Sequence, residues 1–210
     1  IIAAGIKPNI SLAEDIGCNI GGCGAIKVNE RSQTSLDHVY AVGDCTQYVE
    51  FVTGKPVPVG LGSIAVRQGI AAGINASGGD YQLPKGVLQT ATSEFFNVEI
   101  ASVGPSYLTR KDMNTVFVYY NGLSKPEYFQ GGKPIIMKAI VDVKTGNIIA
   151  AQAIGENAAQ RINTYATAIL SKMHIDTLKK LETAYAPPIA PTLDVVTLVA
   201  DVVSNKWHRK

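Results

Sequence analysis

Two apolar runs, Ile135–Val143 and Ile148–Ile154, flank Lys144-Thr145-Gly146-Asn147, and this arrangement constrains the fold more than any other feature of the chain. Strand-length runs on either side of a glycine-containing turn predict a β-hairpin, hence an antiparallel sheet. The surrounding sequence enlarges it. Phe96, Val98 and Ile100 alternate with Asn97 and Glu99 in a strand ended by Gly104-Pro105, and Thr115–Tyr120 is a further strand closed by Asn121-Gly122. A helix is predicted from about Ala158 to Lys172, with Ile162, Ala166 and Ile169 on one side. A short helix near Thr177–Leu181 and another from about Leu193 to Ser204 complete the segment. Strands followed by helices, with no βαβ alternation, indicate an α+β domain.

Residues 1 to about 80 read differently, as the end of an α/β unit. Ile1–Ala4 is an apolar strand candidate turning at Gly5-Ile6-Lys7-Pro8-Asn9, and Ser11 with Glu14 has capping-box spacing for a short helix. Ala25–Asn29 alternates like a strand with one wet face, and Val39–Val42 is a second short strand with Gly43-Asp44 directly after it. The clearest helix starts near Ser63, as N-cap, and runs to about Ala76 before Ser77-Gly78-Gly79-Asp80. Its small residues Ala65, Gly69 and Gly73 share one face, which lets a helix lie close to a strand or a flat ligand. The Gly-Gly-Asp stretch and Pro84 place a boundary near residues 78 to 88, giving domains of 1–82 and 83–210.

Composition excludes several classes. With 46% hydrophobic and 17% charged residues the chain is an ordinary globular sequence, and a formal charge of +2 creates no field suited to nucleic acid or an anionic membrane. No apolar run approaches the roughly 20 residues that span a bilayer, and no signal-peptide succession opens the chain. A strand-first start without Met is expected of a chain cut from something longer. Cys18, Cys23 and Cys45 are odd in number, and Gly17–Gly24 reads as a flexible turn with no helix start to activate a thiol, so inert cysteines in a reducing, cytoplasmic compartment are expected. His38, His174 and His208 lack metal-ligand or nucleophile–base spacing and read as surface residues; no metal is expected. Lys206-Trp207-His208-Arg209-Lys210 reads as a frayed, solvated tail.

Two segments carry a resemblance. Ile2–Asn9, followed by Thr34-Ser35-Leu36-Asp37-His38-Val39-Tyr40-Ala41-Val42-Gly43-Asp44-Cys45 and then Leu61–Gly69, resembles the second half of the FAD-dependent pyridine nucleotide-disulfide oxidoreductases. Ala184-Tyr185-Ala186-Pro187-Pro188 resembles a signature near the C-terminus of that family's NADH oxidase and CoA-disulfide reductase branch. The resemblance implies an α/β remnant of an FAD-binding domain, then an α+β dimerisation domain of antiparallel sheet with helices. It implies that Asp44 accepts hydrogen bonds from the flavin's ribityl hydroxyls, with Gly43 allowing close backbone approach. It also implies that Leu61, Gly62 and Ser63 aim a helix N-terminus at the flavin, where Ser63 as a plain helix cap is the competing reading and both can hold.

Departures from the family narrow the branch. Ile189-Ala190-Pro191-Thr192-Leu193-Asp194 stands where lipoamide dehydrogenase and glutathione reductase place a catalytic His-Pro, with Ala in place of that His. A catalytic imidazole from this segment is excluded, and no catalytic residue is assigned. Tyr185 is placed by the resemblance near the partner subunit's active site, with plain interface packing the alternative. Ile189 stands where a second aromatic commonly follows the two prolines. No G-x-G-x-x-G opens a helix after a strand, so the FAD pyrophosphate and NAD(P)H sites would lie on a part not contained here. The implied role is the C-terminal part of an FAD-dependent NAD(P)H oxidase or disulfide reductase. This part completes the flavin site, forms a homodimer and is inactive alone; the alternative is a non-catalytic homodimerisation module without cofactor.

Overall fold

The computed structural model describes Ile2 and residues 4–210. The chain forms two compact units, Ile1–Val87 and Leu88–Lys210. Of the strand expected over Ile1–Ala4, Ile1 and Ala3 lie outside the described residues, and Ile2 and Ala4 belong to no strand.

Unit 1 contains helix α1 (Ser11–Asp15), strands β1 (Ile26–Lys27), β2 (Thr46–Val49) and β3 (Pro56–Pro58), and helix α2 (Gly62–Ala76). β1 pairs parallel with β2, and β2 antiparallel with β3. Ala13, Cys18, Ile26, Val28, Tyr48, Val57, Val59 and Val87 pack together as its core, so the Cys18 thiol is a buried apolar group. The Tyr48 hydroxyl donates to the Pro84 carbonyl (2.8 Å), and burial, with Glu30 nearby, pushes its phenol up to about 12.

Four local expectations are corrected here. Ser11 does not cap α1: Ile10 is the N-cap and the Ser11 hydroxyl donates to Asn9 Oδ1 instead (3.2 Å). The wet-faced strand shrinks to two residues. Val39–Val42 is no strand, because its backbone folds onto Ser32–Thr34 through a tight turn and leaves one isolated bridge, Gln33 to Tyr40. Gly43–Cys45 forms a 3₁₀ turn, and the strand follows Gly43-Asp44 rather than leading to it.

Unit 2 is a five-stranded antiparallel sheet in the order β4-β5-β8-β7-β6. Its strands are β4 (Ala91–Phe95), β5 (Val98–Val103), β6 (Thr115–Leu123), β7 (Pro134–Asp142) and β8 (Ile148–Gly155), with short helix α3 (Tyr107–Arg110) after β5. The strong hairpin is β7–β8, at the centre of the sheet. α4 (Ala158–Leu170) crosses β5 and β8, and α6 (Val195–Trp207) crosses β6 and β7, while α5 (Ile175–Leu178) packs on α6. Ile135, Met137, Ala139 and Val141 alternate towards these helices and are fully buried, as are Ile162 and Tyr165 of α4 and Val199 and Val203 of α6. The opposite face stays open, exposing Ile100, Ile136 and Ile154 on neighbouring strands.

Two strands differ from expectation for local reasons. Phe96 and Asn97 both adopt positive φ (51° and 60°) and make a two-residue turn with Phe95 opposite Val98, so the expected strand begins two residues later, at Val98, and ends before Gly104 as expected. Asn121-Gly122 does not end β6, because β7 continues to pair with it as far as Leu123–Pro134. Tertiary pairing overrides the turn propensity.

The C-terminus is tied down rather than frayed. Trp207 Nε1 donates to the Val143 carbonyl (2.9 Å), Lys206 Nζ to the Phe117 carbonyl (3.0 Å), and His208 Nε2 meets the Asp176 carboxylate (3.0 Å). His174 is not a plain surface residue either: its ring caps α5 and meets Trp207 edge-on. Asp176 also accepts from the Ser204 hydroxyl (2.5 Å), and this bond, with His208 and Lys179 beside it, lowers its carboxyl to about 2. A carboxyl whose folded pKa is depressed contributes stability above its unfolded pKa and loses it as pH falls through the folded value. Unit 2 is therefore expected to lose stability between about pH 4 and pH 2, and Asp176→Asn to flatten that slope in urea melts across the range. An unchanged slope would show that the cluster contributes nothing.

Candidate functional site

The sequence singles out Gly43, Asp44, Leu61, Gly62 and Ser63, all in unit 1. Gly43 has φ +78°, a left-handed value that strains any residue with a Cβ. Its N–H donates to Gln68 Oε1 (2.8 Å) and its carbonyl accepts from the Thr46 hydroxyl (2.7 Å). Thr46 and Gln68 are themselves bonded (3.2 Å) and almost wholly buried. Gln68 lies on the inner face of α2, with Ala71 and Asn75, so this clamp fixes the 3₁₀ turn against the helix. A Cβ built on Gly43 would sit 3.5 Å from Ala65 Cβ, which places the turn against the start of α2.

Asp44 is exposed, and its carboxylate has no hydrogen-bond partner among the described residues. The start of α2 is equally open. Leu61 rather than Ser63 is the N-cap, with extended backbone (φ −132°, ψ 125°) and no side chain able to accept. Leu61's carbonyl takes the N–H groups of Ile64 (2.9 Å) and Ala65 (3.0 Å), leaving those of Gly62 and Ser63 without an acceptor among the described residues. The structure thus brings together a free carboxylate, a glycine turn and an uncapped helix end. A carboxylate accepts from hydroxyls; uncapped amides donate to anionic oxygen or to a heteroatom gaining negative charge. The small-residue face behaves otherwise: Gly69 and Gly73 are exposed, and a Cβ on either would meet nothing within 4 Å.

Sequence reading missed Thr46 and Gln68. The available signal was a glutamine placed three and seven residues before Ala71 and Asn75, on the helix face that proves to be buried.

Tyr185, in unit 2, is exposed beside the turn in which Ile189 and Ala190 donate to the Ala186 carbonyl (2.8 and 2.9 Å). Its hydroxyl lies 2.7 Å from that of Tyr128, which the sequence did not single out. This bond raises the Tyr128 phenol above its ordinary range, since loss of its proton would put negative charge against the neighbouring oxygen. Among the described residues no cluster of His, Cys, Asp or Glu could hold a metal ion, and no helix is long and apolar enough to cross a membrane.

Comparison with known proteins adds an independent line. Residues 1–69 match the family model described as pyridine nucleotide-disulphide oxidoreductase, and residues 90–196 match that of its dimerisation domain. The chain is 37% identical to an NAD(P)H sulfur oxidoreductase (CoA-dependent) of Pyrococcus furiosus, over 97% of this chain and 46% of that protein. It is 36% identical to an NADH oxidase of Methanocaldococcus jannaschii, over 100% of this chain and 47% of that protein. Among solved structures, an NAD-dependent persulfide reductase from A. fulgidus superposes with a TM-score of 0.93 at 38% identity, covering 98% of this chain and 38% of that one. The chain spans about half the length of the curated relatives it matches.

Proposed function

Because the chain belongs to the pyridine nucleotide-disulphide oxidoreductases, as part of an FAD-binding domain followed by a dimerisation domain, we propose that it completes a flavin site through Gly43, Asp44, Leu61, Gly62 and Ser63. The observation that carries this reading is the juxtaposition of an unpartnered carboxylate with an uncapped helix end, held by the buried Thr46–Gln68 clamp. Such a pair fits a ligand that presents hydroxyls to one side and a charge-accepting ring edge to the other. FAD, when bound, supplies two-electron transfer from NAD(P)H to an acceptor. Asp44 accepts from the flavin's ribityl hydroxyls, and the amides of Gly62 and Ser63 favour negative charge at the ring edge. The pyrophosphate and NAD(P)H sites belong to sequence outside these 210 residues, so these residues alone are inactive.

The complete protein oxidises NAD(P)H and passes electrons to oxygen, peroxide or a disulfide. The sulfur-directed names of two relatives support a sulfur acceptor over oxygen, while the NADH oxidase keeps oxygen in play. Unit 2 forms a homodimer in the cytoplasm, its dimeric state supported by the dimerisation-domain match. Tyr185, paired with Tyr128, lies near the partner subunit's active site.

Asp44→Ala in the full-length protein tests the flavin role. Its side chain is exposed and bonds to no described residue, so folding is undisturbed. We expect FAD to be held about tenfold more weakly, the loss of one or two charge-assisted hydrogen bonds. Flavin-to-protein absorbance after dilution reads this directly, and an unchanged ratio would remove Asp44 from the site.

A further inference from the structure

The open face of the five-stranded sheet carries a second feature, independent of the flavin reading. A cavity of about 420 Å³ lies where β5, β7 and β8 meet the loop that leads into α3, with Ser102, Lys138 and Gln152 on its sheet side and Ser106, Tyr107 and Arg110 on its loop side. Ser102 pairs with Gln152 and Gln152 with Lys138, so these three form one row across the strands. Gly104 makes the wall possible: its φ is +88°, and a Cβ there would stand 2.2 Å from the Ile149 carbonyl oxygen.

The lining is cationic and contains no Asp or Glu. Arg110 is 8% exposed, yet it forms no ion pair among the described residues. Its side-chain hydrogen bond is a long one, from Nη1 to the Thr115 hydroxyl (3.4 Å), and its Nε is buried without a partner among the described residues. Lys138 meets no carboxylate among the described residues either; its ammonium stands over the Phe117 and Tyr119 rings at 4.5 and 5.0 Å. A buried guanidinium without a counter-ion is costly, and proteins seldom retain one without a negative partner. Desolvation pulls the Arg110 guanidinium below its ordinary range, as expected for a cation lacking that partner.

We propose that this cavity is a phosphate-binding site, in which Arg110 and Lys138 neutralise the anion and Ser102, Ser106, Tyr107 and Gln152 supply neutral donors. The guanidinium fork suits tetrahedral oxyanions, and the volume exceeds that of a bare ion, which favours phosphate carried on a small molecule.

The test titrates the purified 210-residue chain with inorganic phosphate and, separately, with phenyl phosphate, in phosphate-free buffer, by calorimetry. Saturable binding that Arg110→Gln and Lys138→Gln each weaken about tenfold supports the site. Tighter binding of the ester points to a phosphorylated small molecule, and equal binding to the free anion. Lys138 lies on the open sheet face, so its variant tests the site even where Arg110→Gln fails to fold; circular dichroism distinguishes the two cases. No saturation by either probe, or saturation that Lys138→Gln leaves unchanged, overturns the proposal.

Discussion

Asp194→Ala is expected to cost unit 2 about 3–5 kcal/mol, the usual penalty for removing one member of a buried ion pair. Arg161 Nε and Nη2 grip both Asp194 oxygens (2.8–3.1 Å), Nη1 donates to the Glu156 carbonyl (2.7 Å), and both side chains are close to nine-tenths buried. Asp194 also caps α6, accepting from the Val196 N–H (3.0 Å). Loss of the cap alone costs about 1 kcal/mol. The larger cost comes from the guanidinium left buried without its counter-charge. Urea melts of Asp194→Ala, Arg161→Met and the double variant separate the two effects. The double variant should be less destabilised than the sum of the singles, because removing both charges relieves the orphan. A single-variant cost near 1 kcal/mol would mean that the cap is all that Asp194 contributes.

Gly155→Ala should cost about 3 kcal/mol or more, from backbone strain and overpacking together. Gly155 ends β8 opposite Ile135 of β7 with φ +130°. A Cβ there would lie 2.4 Å from the Pro134 carbonyl oxygen and 2.9 Å from Ile135 Cα, both backbone atoms that cannot rotate away. Either the two central strands part or the chain entering α4 shifts, and both disturb the most buried layer of the sheet. Gly69→Ala is the matched control: it lies within α2, meets nothing within 4 Å, and should stabilise by about 0.5–1 kcal/mol. Thermal melts of both variants decide the point. A neutral Gly155→Ala would show that the β7–β8 edge yields more easily than its packing indicates.

What the sequence disclosed follows from where local signals and tertiary packing agree. Ile135–Val143 and Ile148–Ile154 announced the central hairpin because apolar strands around a Gly turn satisfy pairing and burial at once. The helix over Ala158–Leu170 was equally plain, since its inner face is apolar apart from Arg161. Misreadings arose where packing overruled local chemistry. Phe96-Asn97 turns without a glycine, so the alternation reads β5 as starting two residues early; Asn121-Gly122 is turn-like yet remains paired with β7. At the candidate site, Asp44 and the α2 start were legible as a motif. The buried Thr46–Gln68 clamp was not, because a polar residue facing inward is visible only once its partner is known. Tyr128 and Tyr185 are likewise brought together from distant segments, and no local pattern links them.

Trp207 is the chain's one tryptophan, and its indole is wedged edge-on between the His174 and His208 rings while bonded to Val143. Intrinsic fluorescence excited at the indole therefore watches a single place, the docking of the final helix, and is blind to events confined to Ile1–Val87. The molecule carries an optical probe of one unit's integrity without any label being added.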